Sequence, residues 1–269
     1  MDGAKEYRRV AVFGGVYNNA LALEATLEDA HQRDVEAIFC LGDMGGFGPR
    51  PDRVFPLLKT AGVLAIQGNY DESLALGKDD CGCGYTDPRD NFFARVSYEY
   101  TFRQTSPANK AWLGTLPKHR RIKLGPRRIL LCHGSPRIIN EFLWESSTPN
   151  GLVEKLLRDF RTDVLLCTHT GIKWHRPLAD GKHLVNVGVI GRPENDGKTN
   201  VWYTILTAGD TTGDALQVEF VPVDYDYETL AREMDREGLP AEFVETIRTG
   251  WWTTCMEILP AKERARGRY

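Results

Sequence analysis

Four side chains of the kinds that bind transition metals stand at the ends of predicted β-strands. Asp43 and Asn69 each follow a glycine, His133 precedes one, and His169 follows a threonine. Each alone is weak evidence, because Gly-Asp or Gly-Asn is usually a turn and a single histidine is usually a hydrogen-bonding group. Together, a carboxylate, an amide oxygen and two imidazoles suit manganese, iron, cobalt, nickel or zinc better than magnesium or calcium. The four residues therefore predict a divalent transition-metal site.

Strands that alternate with helices must position these residues. Strands are predicted by apolar runs at 9–13, 35–41, 63–67, 121–124, 128–132, 164–167, 184–189, 201–206 and 216–223. Helices are predicted around 23–30, after Pro51, as a short helix after Asn69, and at 108–116, 152–160, 226–236 and 240–248. This order predicts an α/β protein with a largely buried, parallel or mixed sheet. Because the carboxyl ends of such strands share one edge of the sheet, the four residues can meet there.

The composition is that of an ordinary globular protein of 269 residues. With 34 lysine and arginine residues against 37 aspartate and glutamate residues, the formal net charge is −3, which does not favour a nucleic-acid partner. No run approaches the roughly 18 apolar residues of a membrane span, and the first residues lack an apolar signal region. We therefore expect a cytoplasmic protein that binds neither membranes nor nucleic acids.

The six cysteines are expected to be thiols, because the chain is long and predicted to be cytoplasmic. Cys81 and Cys83 lie in a glycine- and aspartate-rich loop, residues 77–90, which we expect to be flexible and able to act as a lid. A metal site or redox pair at these two cysteines is less favoured, because a single Cys-x-Cys lacks the second ligand pair of a zinc signature.

The strand-end motifs occur in the same order in a known family. The segments are Gly15-Val16-Tyr17-Asn18-Asn19, Gly42-Asp43, Gly68-Asn69-Tyr70-Asp71, His133-Gly134-Ser135-Pro136, Thr168-His169-Thr170-Gly171 and Asn186-Val187-Gly188-Val189. Over about residues 8–210 the chain resembles the calcineurin-like metallophosphoesterase superfamily, most closely its small bacterial and archaeal phosphodiesterase branch. The resemblance implies a four-layer α/β/β/α sandwich over residues 1–223. Residues 224–269 would then form a C-terminal helical and aromatic extension.

The resemblance also implies a metal centre of which one half is missing. Family members hold two ions that share the aspartate corresponding to Asp43. The ligands of the second ion are all present in the four strand-end residues. Three ligand positions of the first ion are occupied here by Gly15, Tyr17 and Gly171. We therefore expect one divalent metal ion per chain.

Three residues are candidates to compensate for the lost groups. Tyr70 stands where many relatives carry a histidine that assists the leaving group, and it is a candidate catalytic residue. Tyr17 is expected to fill the empty volume, with ligation of ferric iron by its phenolate as the alternative. His175, four residues after Gly171, is a second candidate catalytic residue that could return an imidazole to the vacated site.

Basic side chains near the motifs are candidates to bind the substrate's phosphate in place of the missing ion. They are Arg137, Lys173 and Arg192. Each can equally be a solvated surface charge.

These features favour a metal-dependent hydrolase acting on a small phosphate monoester or diester. Two alternatives stay open: a mononuclear enzyme, with iron as one option, that catalyses a different reaction, and a catalytically silent protein-binding module on the same fold. The pair Trp251-Trp252 is expected to pack the extension onto the domain or onto a second copy of the chain.

Overall fold

The structure is a computed structural model that describes residues 5–209 and 216–267. The strands are β1 (Glu6–Tyr7), β2 (Arg9–Phe13), β3 (Ala37–Cys40), β4 (Leu64–Ala65), β5 (Arg120–Leu124), β6 (Arg127–Leu131), β7 (Val164–Cys167), β8 (Trp174–Pro177), β9 (His183–Asn186), β10 (Val201–Thr207) and β11 (Gln217–Val223). The α-helices are α1 (Ala20–His31), α2 (Val54–Thr60), α3 (Asn69–Leu76), α4 (Pro88–Gln104), α5 (Pro107–Gly114), α6 (Asn150–Asp159), α7 (Tyr227–Arg236), α8 (Ala241–Thr249) and α9 (Ala261–Arg266).

The strands form two mixed sheets. One has five strands in the order β11-β10-β2-β3-β4, with β2, β3 and β4 parallel. The other has six strands in the order β1-β5-β6-β7-β9-β8, with β6, β7 and β9 parallel. In each sheet these three parallel strands are neighbours, which brings their carboxyl ends together at one edge.

Alternation of side chains along the strands builds four layers. In β2, Val10 and Val12 face the six-stranded sheet and contribute to an apolar core that also contains Leu131 and Leu166. The intervening residues Ala11 and Phe13 belong to a separate core that includes the buried faces of α1 and α2. On the other side, α6 covers the outer face of β6 and β7. The fold is therefore the predicted α/β/β/α sandwich, and that prediction is confirmed.

Four elements were not predicted from the pattern: β1, β8, α4 and α9. Helix α4 is 17 residues long, but its apolar residues are not concentrated on one face, so its helical period is weak. The sequence does mark the start of α4 with a capping residue followed by proline. Asp87 accepts hydrogen bonds from the backbone N–H groups of Arg89 and Asp90, and Pro88 occupies the first helical turn. The short elements β8 and α9 also lacked a periodic pattern.

The C-terminal helices pack against the rest of the described chain. Leu230 and Met234 of α7 and Phe243 of α8 belong to one apolar cluster with Phe47 and residues of α4. The proposed boundary at residue 223 stays a prediction, and its two segments include residues 1–4, 210–215 and 268–269, which lie outside the described residues. Within the described ranges, no helix combines the length and the apolar character needed to cross a bilayer.

We predict that Leu230→Ala lowers the free energy of unfolding by about 2–4 kcal/mol, because it leaves a cavity beneath α7. Leu230 is 1% exposed. Chemical denaturation followed by circular dichroism measures the change, and Arg236→Ala, at an exposed position of the same helix, is the matched control. Equal stabilities of the two variants would contradict packing of α7 on the domain.

Candidate metal centre

A buried carboxylate joins the two loops that carry the first site residues. Asp71 accepts hydrogen bonds from the backbone N–H groups of Asp43 (2.7 Å), Met44 (3.0 Å) and Gly68 (2.8 Å). Asp43 follows β3 and has a φ of 57°, in the left-handed region that is rare for a residue with a side chain. Asp71 therefore holds the backbone turn that aims the Asp43 carboxylate into the site.

Three ligand atoms converge at the strand ends. Asp43, His133 and His169 are buried, and each offers a ligand atom within 4.8 Å of the others. His133 Nε2 lies 3.2 Å from Asp43 Oδ2 and 3.1 Å from His169 Nδ1. His133 Nδ1 lies 2.7 Å from the Leu41 carbonyl oxygen, which places its proton on Nδ1 and leaves the Nε2 lone pair for a metal.

Asn69 supplies the fourth candidate ligand from the first position of α3. Its Nδ2 donates to the carbonyl oxygen of Cys81 at 2.9 Å, which fixes the rotation of the amide. Its Oδ1 is buried and has no hydrogen-bond partner among the described residues. A buried amide oxygen without a partner is costly, and a metal ion would relieve that cost. The donor set therefore fits a transition ion.

The electrostatics of the site also suit a cation. Burial disfavours a charged imidazole, but the adjacent Asp43 carboxylate raises the pKa of His133. Burial likewise opposes ionisation of Asp43, yet the two histidines lower the pKa of this carboxyl. Burial, aided by repulsion from His133, lowers the pKa of His169 to about 3, so its imidazole is neutral and free to coordinate.

Tyr17 occupies the space next to Gly15, a position where the family resemblance implies a lost ligand of the first ion. A Cβ atom on Gly15 would lie 2.5 Å from Cζ of Tyr17, and a Cβ atom on Gly191 would lie 2.4 Å from the Cβ of Tyr17. The tyrosine therefore fits only because both neighbours are glycine. Burial raises the pKa of its hydroxyl well above the usual value, which favours the phenol over the phenolate.

Tyr70 lines a cavity that also contains Asp43 and His169, as the motif order predicts for a residue directly after Asn69. Its backbone N–H donates to Asp43 Oδ1 at 3.1 Å, and its hydroxyl donates to Ser97 Oγ at 2.9 Å. The hydroxyl is therefore already engaged with α4 rather than directed at the ligand atoms.

The structure does not bring three other candidates into the cavity. His175 Nε2 lies 2.9 Å from His183 Nδ1 on the neighbouring strand β9. Lys173 forms an ion pair with Glu194, and its Nζ lies over the Trp202 ring. The remaining candidate, Arg137, forms an ion pair with Glu141.

Arg192, in contrast, lines a cavity of about 60 Å³ together with Asp43 and His169. The same cavity has walls from Ser97 of α4 and from Cys255 of the C-terminal extension. The sequence pattern gave no reason to place these last two residues at the site, because α4 was not predicted and the extension lies outside the family resemblance.

The structure corrects the expectation that all six cysteines are thiols, because Cys81 and Cys83 form a disulfide. The disulfide lies beside the candidate ligand Asn69, whose Nδ2 is 3.6 Å from Cys83 Sγ. Asn140 also donates to the carbonyl oxygen of Gly82 at 2.9 Å. The loop is therefore tied to the site by specific contacts. The other four cysteines are free.

Known proteins resemble this chain in sequence and in fold. Residues 9–210 match the model of the calcineurin-like phosphoesterase superfamily domain. An uncharacterized protein of Methanocaldococcus jannaschii is 25% identical over 255 residues, covering 90% of this chain and 98% of that protein. A metallophosphoesterase from Sphaerobacter thermophilus has a similar structure, with a TM-score of 0.67, 25% identity and coverage of 91% of this chain and 99% of that one. A hypothetical protein from Pyrococcus horikoshii shares the fold, with a TM-score of 0.75, 23% identity and coverage of 92% and 100%.

We predict that His133→Ala weakens binding of Mn²⁺ at least about 100-fold, since loss of even a residue that supports a ligand typically costs 10–100-fold. Competition with a chelator of known affinity measures the change. His183→Ala removes another buried histidine, outside the cavity, and should bind the ion like the wild type. Unchanged affinity in His133→Ala would contradict the ligand assignment.

We predict that Asp71→Ala lowers the free energy of unfolding by about 3 kcal/mol, because three buried N–H groups lose their acceptor. Denaturant titration of both proteins in the presence of a chelator isolates this effect from metal binding. Asp79→Ala, at an exposed position, is the control. A loss no larger than that of the control would show that the three hydrogen bonds accepted by Asp71 do not stabilise the fold.

Proposed function

Because this chain belongs to the calcineurin-like phosphoesterase superfamily, we propose that it hydrolyses a small phosphate monoester or diester with one bound divalent transition metal ion. The ion would be held by the four residues Asp43, Asn69, His133 and His169. The observation that carries the proposal is the convergence of buried ligand atoms from three of them, together with the unpartnered Oδ1 of the fourth.

A bound divalent ion supplies Lewis acidity and lowers the pKa of water, which makes a hydroxide nucleophile available near neutral pH. The chain's own residues hold the ligands in place. The Leu41 carbonyl orients His133, and the Tyr70 backbone N–H orients the Asp43 carboxylate. These contacts fix the direction of each ligand atom before an ion arrives, so little reorganisation accompanies binding.

In the proposed reaction the oxygen of water bonds to phosphorus and the ester P–O bond breaks. One proton of the water ends on the released alcohol and the other is lost to solvent. Of the described residues that line the cavity, none apart from the proposed metal ligand His169 is a histidine, and the hydroxyl of Tyr70 is bound to Ser97. Position 70, where many relatives carry the histidine that assists the leaving group, therefore offers no free acid to the departing oxygen, and we expect esters with acidic leaving groups to react fastest.

The shape of the site suits a small substrate. The cavity of about 60 Å³ holds a few water molecules or a compact group such as a phosphoryl group. It shares Cys83, Tyr85 and Ala94 with an outer groove of about 690 Å³. Phe92, Arg95 and Asn140 belong to the walls of that groove. We propose that the phosphoryl group enters the cavity and that the esterified organic group lies in the groove.

We predict that Asp43→Asn lowers kcat/KM for bis-para-nitrophenyl phosphate at least about 100-fold, because the one carboxylate of the four proposed ligands is lost. The release of para-nitrophenolate by Mn²⁺-loaded protein measures the rate, and Asp224→Asn is the matched surface control.

Two outcomes of this assay would overturn the proposal. Equal rates for wild type and Asp43→Asn would place the chemistry elsewhere. Absence of wild-type turnover with each of manganese, iron, cobalt, nickel and zinc, for both this diester and para-nitrophenyl phosphate, would favour the alternatives of a silent binding module or a different mononuclear enzyme.

A further inference from the structure

Gly171 is one of the three positions where the family resemblance implies a lost ligand of the first ion. It faces the guanidinium of Arg192 and the indole of Trp252. A Cβ atom on Gly171 would lie 3.1 Å from Cη2 of Trp252 and 3.4 Å from Nη2 of Arg192. Gly171 has a φ of 78°, so a side chain here would also be strained. A guanidinium group therefore stands beside the position where relatives are expected to carry a metal-binding imidazole.

Arg192 is a buried charge without a counter-ion. The residue is 7% exposed, and among the described residues no carboxylate lies within ion-pair distance of it. The Nε of Arg192 also has no hydrogen-bond partner among the described residues. Glu194, two positions along, is paired with Lys173. A guanidinium in this state is energetically costly, and an anion in the cavity would offset the cost.

Trp252 holds the guanidinium in one place. The Cζ of Arg192 lies 3.6 Å from the centroid of the Trp252 ring, a cation–π contact. The indole Nε1 donates to the carbonyl oxygen of Pro193 at 2.7 Å, and the Trp252 backbone N–H donates to Asn195 Oδ1 at 2.8 Å. The indole is thus anchored on the segment directly after Arg192. Through this tryptophan, the C-terminal extension supports the side chain of Arg192, which lines the cavity.

We propose that Arg192 binds the phosphoryl oxygens of the substrate and supplies the fixed positive charge that the missing first metal would otherwise provide. The inference rests on the proposed function, since the anion is the phosphoryl group of that substrate. It follows from three observations: Arg192 shares the cavity with Asp43 and His169, it has no counter-ion among the described residues, and its guanidinium lies beside Gly171.

The planar guanidinium can donate two parallel hydrogen bonds to two oxygens of one phosphoryl group. Because negative charge grows on these oxygens as hydrolysis proceeds, a donor fixed in a cavity stabilises the transition state more than the bound ester. Trp252 is a positioning residue in this account, because it contacts the guanidinium rather than the substrate.

The test compares Arg192→Gln, Arg192→Lys and Trp252→Leu with the wild type, and Arg248→Gln of α8 is the control, because Arg248 pairs with Asp235 on the protein surface. Each protein is loaded with Mn²⁺, its metal content is measured, and inorganic phosphate is titrated by calorimetry. We expect Arg192→Gln to keep its metal, to bind phosphate at least about 10-fold more weakly, and to lose about 100–1,000-fold in kcat/KM.

The other variants give readouts that a purely structural role would not produce. Arg192→Lys should fall between wild type and Arg192→Gln, because lysine keeps the charge and loses the planar fork. Trp252→Leu should weaken phosphate binding with unchanged metal content. If Arg192→Gln is unfolded by its melting curve, wild-type phosphate affinity in Arg192→Lys and in Trp252→Leu overturns the proposal.

The two proposals fail in distinguishable ways. Equal phosphate affinity in wild type and folded Arg192→Gln overturns the role of Arg192, while ester turnover that is lost in Asp43→Asn still supports the hydrolase. Phosphate binding that depends on Arg192 in a protein without turnover supports the anion site and overturns the hydrolase.

Discussion

The Asp71 carboxylate is the constraint on which the candidate site depends. It accepts three backbone hydrogen bonds and so joins the loop after β3 to the loop after β4. Asp43 leaves β3 in a left-handed conformation that few residues with side chains adopt. Without the clamp that turn would be free to relax, and the carboxylate that the two histidines approach would lose its direction. Asp71 lies within the Gly-Asn-Tyr-Asp segment, so a single short motif supplies both a ligand and the residue that positions another.

The two halves of the centre have become physically different environments. On one side, Asp43, Asn69, His133 and His169 offer the candidate ligand atoms. On the other side, Tyr17 fills the space between two glycines, and the indole of Trp252 contacts a third. Arg192 lies at the boundary between these halves. In this proposal the guanidinium of Arg192 takes the place of the first metal ion. It needs no metal ligands, but its side chain must be held in position, and the ring of Trp252 does this.

The candidate ligand set was predictable from sequence, whereas the sequence could only offer Arg192 as one of three candidate cations, without a reason to choose it over Arg137 or Lys173. Asp43, Asn69, His133 and His169 are marked by local signals, because a polar residue beside a glycine or threonine at a strand end is visible in a short stretch of chain. Closeness along the chain does not bring His175 and Lys173 into the cavity. They follow His169 closely, but β8 pairs with β9 and gives His175 the partner His183, while Lys173 pairs with Glu194. Arg192 needs Trp252, some 60 residues further on, and only the packed extension brings them together.

We propose that one metal ion activates water while Arg192 binds the phosphoryl oxygens, two roles that a two-metal centre fulfils with its ions. Anomalous diffraction from a crystal grown with Mn²⁺ and inorganic phosphate tests it most directly. The account predicts one anomalous peak per chain, bounded by Asp43, Asn69, His133 and His169, with phosphate oxygens in hydrogen-bond contact with Arg192. A second manganese peak between Asp43 and Tyr17, or a phosphate bound away from Arg192, would contradict it.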